Sequence, residues 1–239
     1  MARILLTGDE GKIPKRIDNY VIYKLDDALI IRANSGFTSS ELKNHPKYAN
    51  CRKNASEFGR ISKTGKAIRI LLADLLPKEN NLALVNQLTK KLRTLLDFDS
   101  IHTKGERILQ EALLHTNARA AFRFYDFNPT GIFYLINKEN YLYVGFDASS
   151  YKQNDNSVGM RWHTMHFDFE TLTGVVTSEV WQIESVQSHE MALQLPEIKS
   201  ASKGITFSIL EVQFFRAEEG SLLPAALGVK SVFIVDYTL

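Results

Sequence analysis

Residues able to do chemistry are sparse in this chain, and the densest group of them is Arg161–Glu170, RWHTMHFDFE. On an extended strand His166, Asp168 and Glu170 fall on one side, while Met165, Phe167 and Phe169 fall on the other. A histidine with two carboxylates is a donor set that suits a divalent cation. Alternate residues on a strand stand about 6.5–7 Å apart, so two of the three can share an ion but three can hardly converge. A polar outer face over an apolar inner one is the preferred reading, and no metal or other cofactor is expected. Gly8-Asp9-Glu10-Gly11-Lys12 has the glycines and lysine of a phosphate loop. It lacks that loop's spacing and the Ser/Thr after the lysine, and its acids repel phosphate. A turn is expected there instead.

Nucleophilic chemistry finds no better footing. The single cysteine, Cys51, lies on the apolar side of a helical pattern and is expected to be a small buried hydrophobe. It also rules out an internal disulfide and a cysteine-built zinc site. No Gly-x-Ser-x-Gly elbow is present, and Glu218-Glu219 reads as a solvated turn before Gly220. The polar loop Asp147–Gly159 has side chains suited to a ligand but lacks the spacing and distal glutamate of a calcium loop. The chain is therefore expected to be non-catalytic.

The other concentration of chemistry is basic. Lys43–Arg69 carries eight positive residues against Glu57 alone inside the stretch. Of these, Arg52, Lys53, Arg60, Lys63, Lys66 and Arg69 are the candidates for an anionic partner. They face one of three destinations: solvent, nucleic-acid phosphates, or an acidic surface of the same or a neighbouring chain. No recognisable DNA-binding module frames them, and aromatic residues do not alternate with the charges. Residues 1–100 hold 18 Lys/Arg against 11 Asp/Glu, whereas residues 151–239 hold 6 against 11. A chain so polarised suits head-to-tail association. Nucleic acid is thus the less favoured partner and a homo-oligomer the more favoured one.

The elements that must position these groups follow from periodicity. The 239-residue chain is long enough for one large domain or two ordinary ones. It has no apolar run of membrane-span length, and its start lacks a signal-peptide core, so membrane insertion is not expected and a cytoplasmic location is. Tyr20–Arg32 reads as two strands around an Asp26–Asp27 turn. A two-residue loop places Val21, Tyr23, Leu25, Ala28, Ile30 and Arg32 on one face, and Ile22, Lys24, Leu29 and Ile31 on the other. Both faces are largely apolar, and an isolated hairpin is marginal. Tyr20, Ile22, Tyr23, Leu29 and Ile31 are therefore the self-association candidates.

After Gly36 a helical pattern runs to about Leu76, with Pro46 delaying its start and Pro77 ending it. Cys51, Ala55, Phe58, Ile61, Gly65, Ile68, Leu72 and Leu75 share its apolar side. A second helix is predicted over Asn81–Leu96, with Val85, Leu88, Leu92 and Leu95 as its stripe, and a third over Lys104–His115. From Ala121 the period becomes strand-like. In Ile205–Phe215 the apolar parity flips, which predicts a bulge or sharp twist between Ile209 and Leu210. Val232–Val235 reads as a strand buried on both faces.

The Gly11-Lys12 opening before Tyr20–Arg32, the phrase Asn54-Ala-Ser-Glu-Phe58-Gly59-Arg60 with Lys63-Thr64-Gly65-Lys66, and the closing strands Leu210–Arg216 and Val232–Asp236 resemble a family of uncharacterised bacterial proteins of about this length. The chain departs from that pattern at Asp26–Asp27, where an Asn-Gly-like turn is more usual. The resemblance implies a layout of hairpin, helices and sandwich, and supplies no catalytic residues. The expected fold is α+β, with a hairpin and helical region over 1–119 and an Ig-like antiparallel β-sandwich over 120–239. The expected function is a structural or interaction protein that self-associates through hairpin and helices. The alternatives are a nucleic-acid-associated protein using the basic helix and a ligand- or carbohydrate-binding sandwich.

Overall fold

The register of the N-terminal strands is that of a two-residue loop. In the computed structural model, β3 (Tyr20–Leu25) pairs antiparallel with β4 (Ala28–Ala33), with Tyr23 opposite Ile30 and Leu25 opposite Ala28. Asp26 turns the chain with φ 52°, a left-handed value that aspartate tolerates better than most residues. The chain itself supplies two further strands. β1 (Ala2–Leu5) lies along β4, and β2 (Arg16–Ile17) along β3, giving the order β1-β4-β3-β2. The structure describes residues 2–5, 15–26, 28–33, 39–77, 82–147, 156–188, 190–197, 203–218, 221–225 and 230–238. Gly8–Lys12, Asp27, Glu219 and the middle of the 147–159 loop lie outside them.

The chain divides into two compact units, Met1–Arg52 and Lys53–Leu239, so the expected boundary at 119/120 falls inside the second. The first unit also contains α1 (Ser39–Asn44) and a 3₁₀ turn, Pro46–Tyr48, where the proline interrupts the helical pattern. The division falls within α2 (Ala49–Leu71).

In the second unit, α2 is followed by α3 (Leu82–Leu96), α4 (Leu109–Leu114) and α5 (Thr116–Phe122). The third predicted helix is thus two short ones. His115 stands between them, its Nδ1 accepting from the Asn117 amide. The strands then run β5 (Tyr125–Asp126), β6 (Phe133–Lys138), β7 (Tyr141–Phe146), β8 (Ser157–Asp168), β9 (Thr173–Ser178), β10 (Gln182–Ser185), β11 (Glu190–Gln194), β12 (Ile205–Glu218), β13 (Ser221–Pro224) and β14 (Lys230–Thr238). Seven of them form one antiparallel sheet on the path β10-β8-β12-β14-β5, with β9 on β8 and β13 on β12. Another three form the sheet β11-β7-β6. The class is α+β with three antiparallel sheets among the described residues.

Two apolar clusters explain β12. Phe207 and Ile209 join Ile68, Leu72, Leu88 and Leu92 of the helices in one cluster, while Leu210, Val212 and Phe214 join Leu142, Val144 and Met191 of the small sheet in the other. The apparent flip of parity is a strand covered by helices at one end and by a sheet at the other, not a strand that turns over. Its pairing with β8 runs unbroken from Ile205 to Phe215. The irregularity lies opposite β14, where Ser208 pairs with Asp236 and Ile209 with Ile234. The extra residue is Val235.

Candidate functional site

Two buried carboxylates, neither of them among the residues whose spacing pointed to a metal, organise the polar chemistry of the second unit. Glu57, on α2, has a side chain with 0% exposure. It takes Arg107 as a fork, Nε to Oε1 and Nη2 to Oε2, both at 2.8 Å. Arg93 adds a contact at 3.2 Å and the Gly105 amide donates at 2.7 Å. Asp97 accepts from the same two arginines, at 2.8 Å from Arg93 and 2.5 Å from Arg107. The Arg107 hydrogen bond, with the Gly105 amide and both positive charges, outweighs burial and holds the Glu57 carboxyl at about 2. Two positions beyond Asp97, buried Asp99 accepts from the amides of Ile101, His102 and Ile108. Burial alone would raise its carboxyl, but these donors bring it to about 2. The loop between α3 and α4 is thereby fixed by carboxylates at both ends.

That loop also consumes part of the basic stretch. Arg60 donates to the Gly105 carbonyl at 2.7 Å, the Arg107 carbonyl at 3.2 Å and Ser56 Oγ at 2.9 Å. The stem of Lys53 lies against Gly105, whose φ of 103° and lack of a Cβ permit the approach. In the first unit, Arg52 donates to the carbonyls of Leu42 and His45 at 2.9 and 3.0 Å. Lys63, Lys66 and Arg69 make no hydrogen bond or ion pair among the described residues. Arg52 and Arg60 are occupied by the protein's own backbone carbonyls, and Lys53 packs its stem on Gly105.

The second carboxylate, Glu211, sits on β12 with a side chain 3% exposed. Arg161 of β8 donates from Nη2 at 2.7 Å and from Nε at 3.2 Å. Lys230 of β14 reaches Oε1 at 3.2 Å. His163 Nε2 lies 3.1 Å from Oε2, and its Nδ1 lies 2.8 Å from Ser178 Oγ on the edge strand β9. Burial pushes the Glu211 carboxyl up, but hydrogen bonds from His163 and Arg161 and the charge of Lys230 bring it to about 2. The guanidinium of Arg161 in turn lies 4.3 Å from the Trp181 ring centroid.

Ser178, His163 and Glu211 form a serine–histidine–carboxylate chain, but with Nδ1 on the serine and Nε2 on the carboxylate, the reverse of a nucleophilic relay. The carboxylate is already bound by two permanent cations, so it has little left to give an imidazolium. Glu211 ties Arg161 and His163 of β8 and Lys230 of β14 into one ion network across three strands. Sequence reasoning missed both carboxylates. The available signal was a polar residue in an apolar row: His163 shares the parity of Met165 and Phe167, and Glu211 that of Phe207 and Ile209.

His166, Asp168 and Glu170, the residues weighed as metal ligands, have no side-chain hydrogen-bond partner in common among the described residues. His166 Nδ1 pairs with Thr206 Oγ1 at 3.3 Å, Asp168 accepts from the amides of Glu170 and Thr171, and no group of metal-ligating side chains occurs among the described residues. Cys51 is exposed rather than buried. The predicted stripe of α2 fails along its first turns, where Phe58 is 56% exposed and Glu57 takes the buried place, and holds from Ile61 to Leu75.

The self-association candidates divide as well. Ile22 and Leu29 are buried and Ile31 is half-buried, whereas Tyr20 is 51% and Tyr23 37% exposed. Ile17 and Leu25, not among the candidates, are exposed at 50% and 55%. Tyr23 carries Arg32 over its ring at 5.6 Å.

A further cavity of about 230 Å³ lies between α2, the start of α4 and the β8–β9 turn. Among the described residues no helix is long and apolar enough to cross a membrane. Fold and clusters together define an α+β protein with two internally satisfied ion networks. No protein-family model, no curated protein and no solved structure matches the chain.

Proposed function

We propose that this chain is a non-catalytic structural or interaction protein that self-associates through its N-terminal sheet. The observation that carries the reading is the exposure of Ile17, Tyr20, Tyr23 and Leu25 on adjoining strands of one small sheet, beside a β4 whose Ala28, Leu29 and Ile30 are already buried. Ile17 and Tyr20 lie on one face of that sheet and Tyr23 and Leu25 on the other, and apolar side chains left exposed on a sheet are what a partner covers. The partner is a second copy of the chain. Its acidic C-terminal part complements the basic N-terminal part in a head-to-tail contact, and such contacts make rings or filaments. The rigid body of the assembly is the second unit, with its two larger faces arranged in the manner of an Ig-like sandwich.

Replacing Tyr20 and Leu25 together by lysine tests this, since both are exposed and the sheet should survive. Light scattering should show the assembly of the parent lost in the variant. An unchanged mass would end the proposal. Lys63, Lys66 and Arg69, lacking acidic partners among the described residues, favour nucleic acid as the second reading. That reading requires duplex binding which weakens steeply with salt, and no retardation of duplex at low salt would dismiss it.

A further inference from the structure

The cavity between α2, α4 and the β8–β9 turn has a composition that neither ion network explains. Its floor is apolar: Ile61, Leu96 and Leu109 are 2%, 1% and 5% exposed. Phe169 and Leu172 of the turn, both half-buried, close one side. Arg60 and Lys63, one helical turn apart on α2, stand at the rim, with Glu170 also in the lining.

The charges at that rim are not balanced in the way those of Arg107 are. Arg107 also lines the cavity, but its charge is taken by Glu57 and Asp97. Arg60 is held by three neutral acceptors, the Ser56 hydroxyl and the carbonyls of Gly105 and Arg107. Its position is fixed while its charge meets no carboxylate within ion-pair distance among the described residues. Lys63 makes no hydrogen bond or ion pair among them either. A cation that the protein has positioned but not neutralised, above an apolar floor, attracts an anion with an apolar body. The volume of about 230 Å³ is below the 300–1,000 Å³ typical of drug-sized ligands. It suits a short acyl chain or a single ring, and is too small for a nucleotide.

We propose that this cavity binds a small apolar carboxylate, its hydrocarbon on Ile61, Leu96 and Leu109 and its carboxylate between Arg60 and Lys63. Glu170 excludes a second negative charge on the ligand. Lys63 is the mobile donor and Arg60 the fixed one, so Lys63 can be changed without disturbing the Gly105 loop.

Hexanoate, hexan-1-ol and hexylammonium, titrated into the full chain and followed by amide chemical shifts, test the assignment. Hexanoate should saturate, with shifts centred on Ile61, Leu109 and Leu172, while hexan-1-ol and hexylammonium bind at least tenfold more weakly. Lys63→Gln should weaken hexanoate about tenfold, in keeping with loss of a charge-assisted hydrogen bond. Lys66→Gln, on the same helix but outside the cavity, should leave the affinity unchanged. The proposal is overturned by no saturable hexanoate binding, by equal binding of the alcohol, or by equal loss in the two lysine variants. Native-like spectra of both variants without ligand separate lost binding from lost fold.

Discussion

Lys53–Leu239 closes its buried glutamates into ion networks and covers both faces of its central strand, whereas Met1–Arg52 leaves Ile17, Tyr20, Tyr23 and Leu25 exposed within one four-stranded sheet. The second unit exposes apolar side chains too: Phe58 and Ile70 on α2, Leu82 on α3, Tyr134 and Tyr141 on β6 and β7, and Leu222 and Leu223 on β13. Its stability comes from inside: β12 is buried from Ile205 to Val212, and Glu57 and Glu211 are each held by at least two cations. The first unit has no comparable interior charge network among its described residues, and Tyr20 and Tyr23 stand exposed beside buried Ile22, Leu29 and Ile30. Under the proposed reading, stability resides in one unit and association in the other.

The strongest way to break that comparison is to damage the second unit and watch the first. Glu57→Ala leaves Arg107 and Arg93 with Asp97 alone and the Gly105 amide without its acceptor, and should cost about 3 kcal/mol in urea unfolding, as breaking a buried ion pair does. Glu211→Ala should cost a similar amount by leaving Arg161 and Lys230 without their carboxylate. At protein concentrations where the variants stay folded, neither should alter the assembly mass. An equal loss of assembly would merge the two roles.

Acid should act on the second unit in the same direction. Both glutamates have folded-state values of about 2 against an ordinary 4.5. A depressed carboxylate contributes stability that is fully present above the unfolded value and is lost as pH falls through the folded one. The loss should therefore run from about pH 4.5 to about pH 2, worth roughly 3 kcal/mol for each group. Urea midpoints measured across that window should fall steeply in the parent and less steeply in Glu57→Gln and Glu211→Gln.

Smaller effects sharpen the picture. Ser178→Ala removes one hydrogen-bond partner of His163 and should cost about 1 kcal/mol without any other consequence. Rapid, selective labelling of Ser178 by a fluorophosphonate would instead show a working relay. Phe58→Ser, at an exposed position, should change stability by no more than about 0.5 kcal/mol. A loss of several kcal/mol would restore the stripe that the sequence pattern suggested.

Local rules made much of the fold legible. The hairpin register followed from a two-residue loop, because strand parity leaves little choice. Leu88, Leu92 and Leu95 of α3 were readable from helical period, as was the apolar run Val232–Val235. What escaped was set by distant partners. Glu57 occupies a place that period assigns to an apolar residue, because Arg107 and Gly105, about fifty residues on, neutralise it. Arg60 looked like a free cation until the carbonyls of the same loop were placed beside it. The break between α4 and α5 has no signal in helical period, and the exposure of Ile108 depends on Asp99, which binds the Ile108 amide from nine residues earlier. At Ile205–Phe215 the pattern was read correctly as two parities. Its cause was a change of covering layer, which one strand's sequence does not encode.

The central claim is that association resides in the N-terminal sheet and stability in the rest. Multi-angle light scattering of the parent and of the Tyr20→Lys, Leu25→Lys double variant, each at low and high salt, addresses it most directly. The account predicts an oligomer for the parent and a 27.1 kDa monomer for the variant, with the urea midpoint of the second unit unchanged. A parent that is already monomeric, or a variant that keeps the parent's mass, would contradict it.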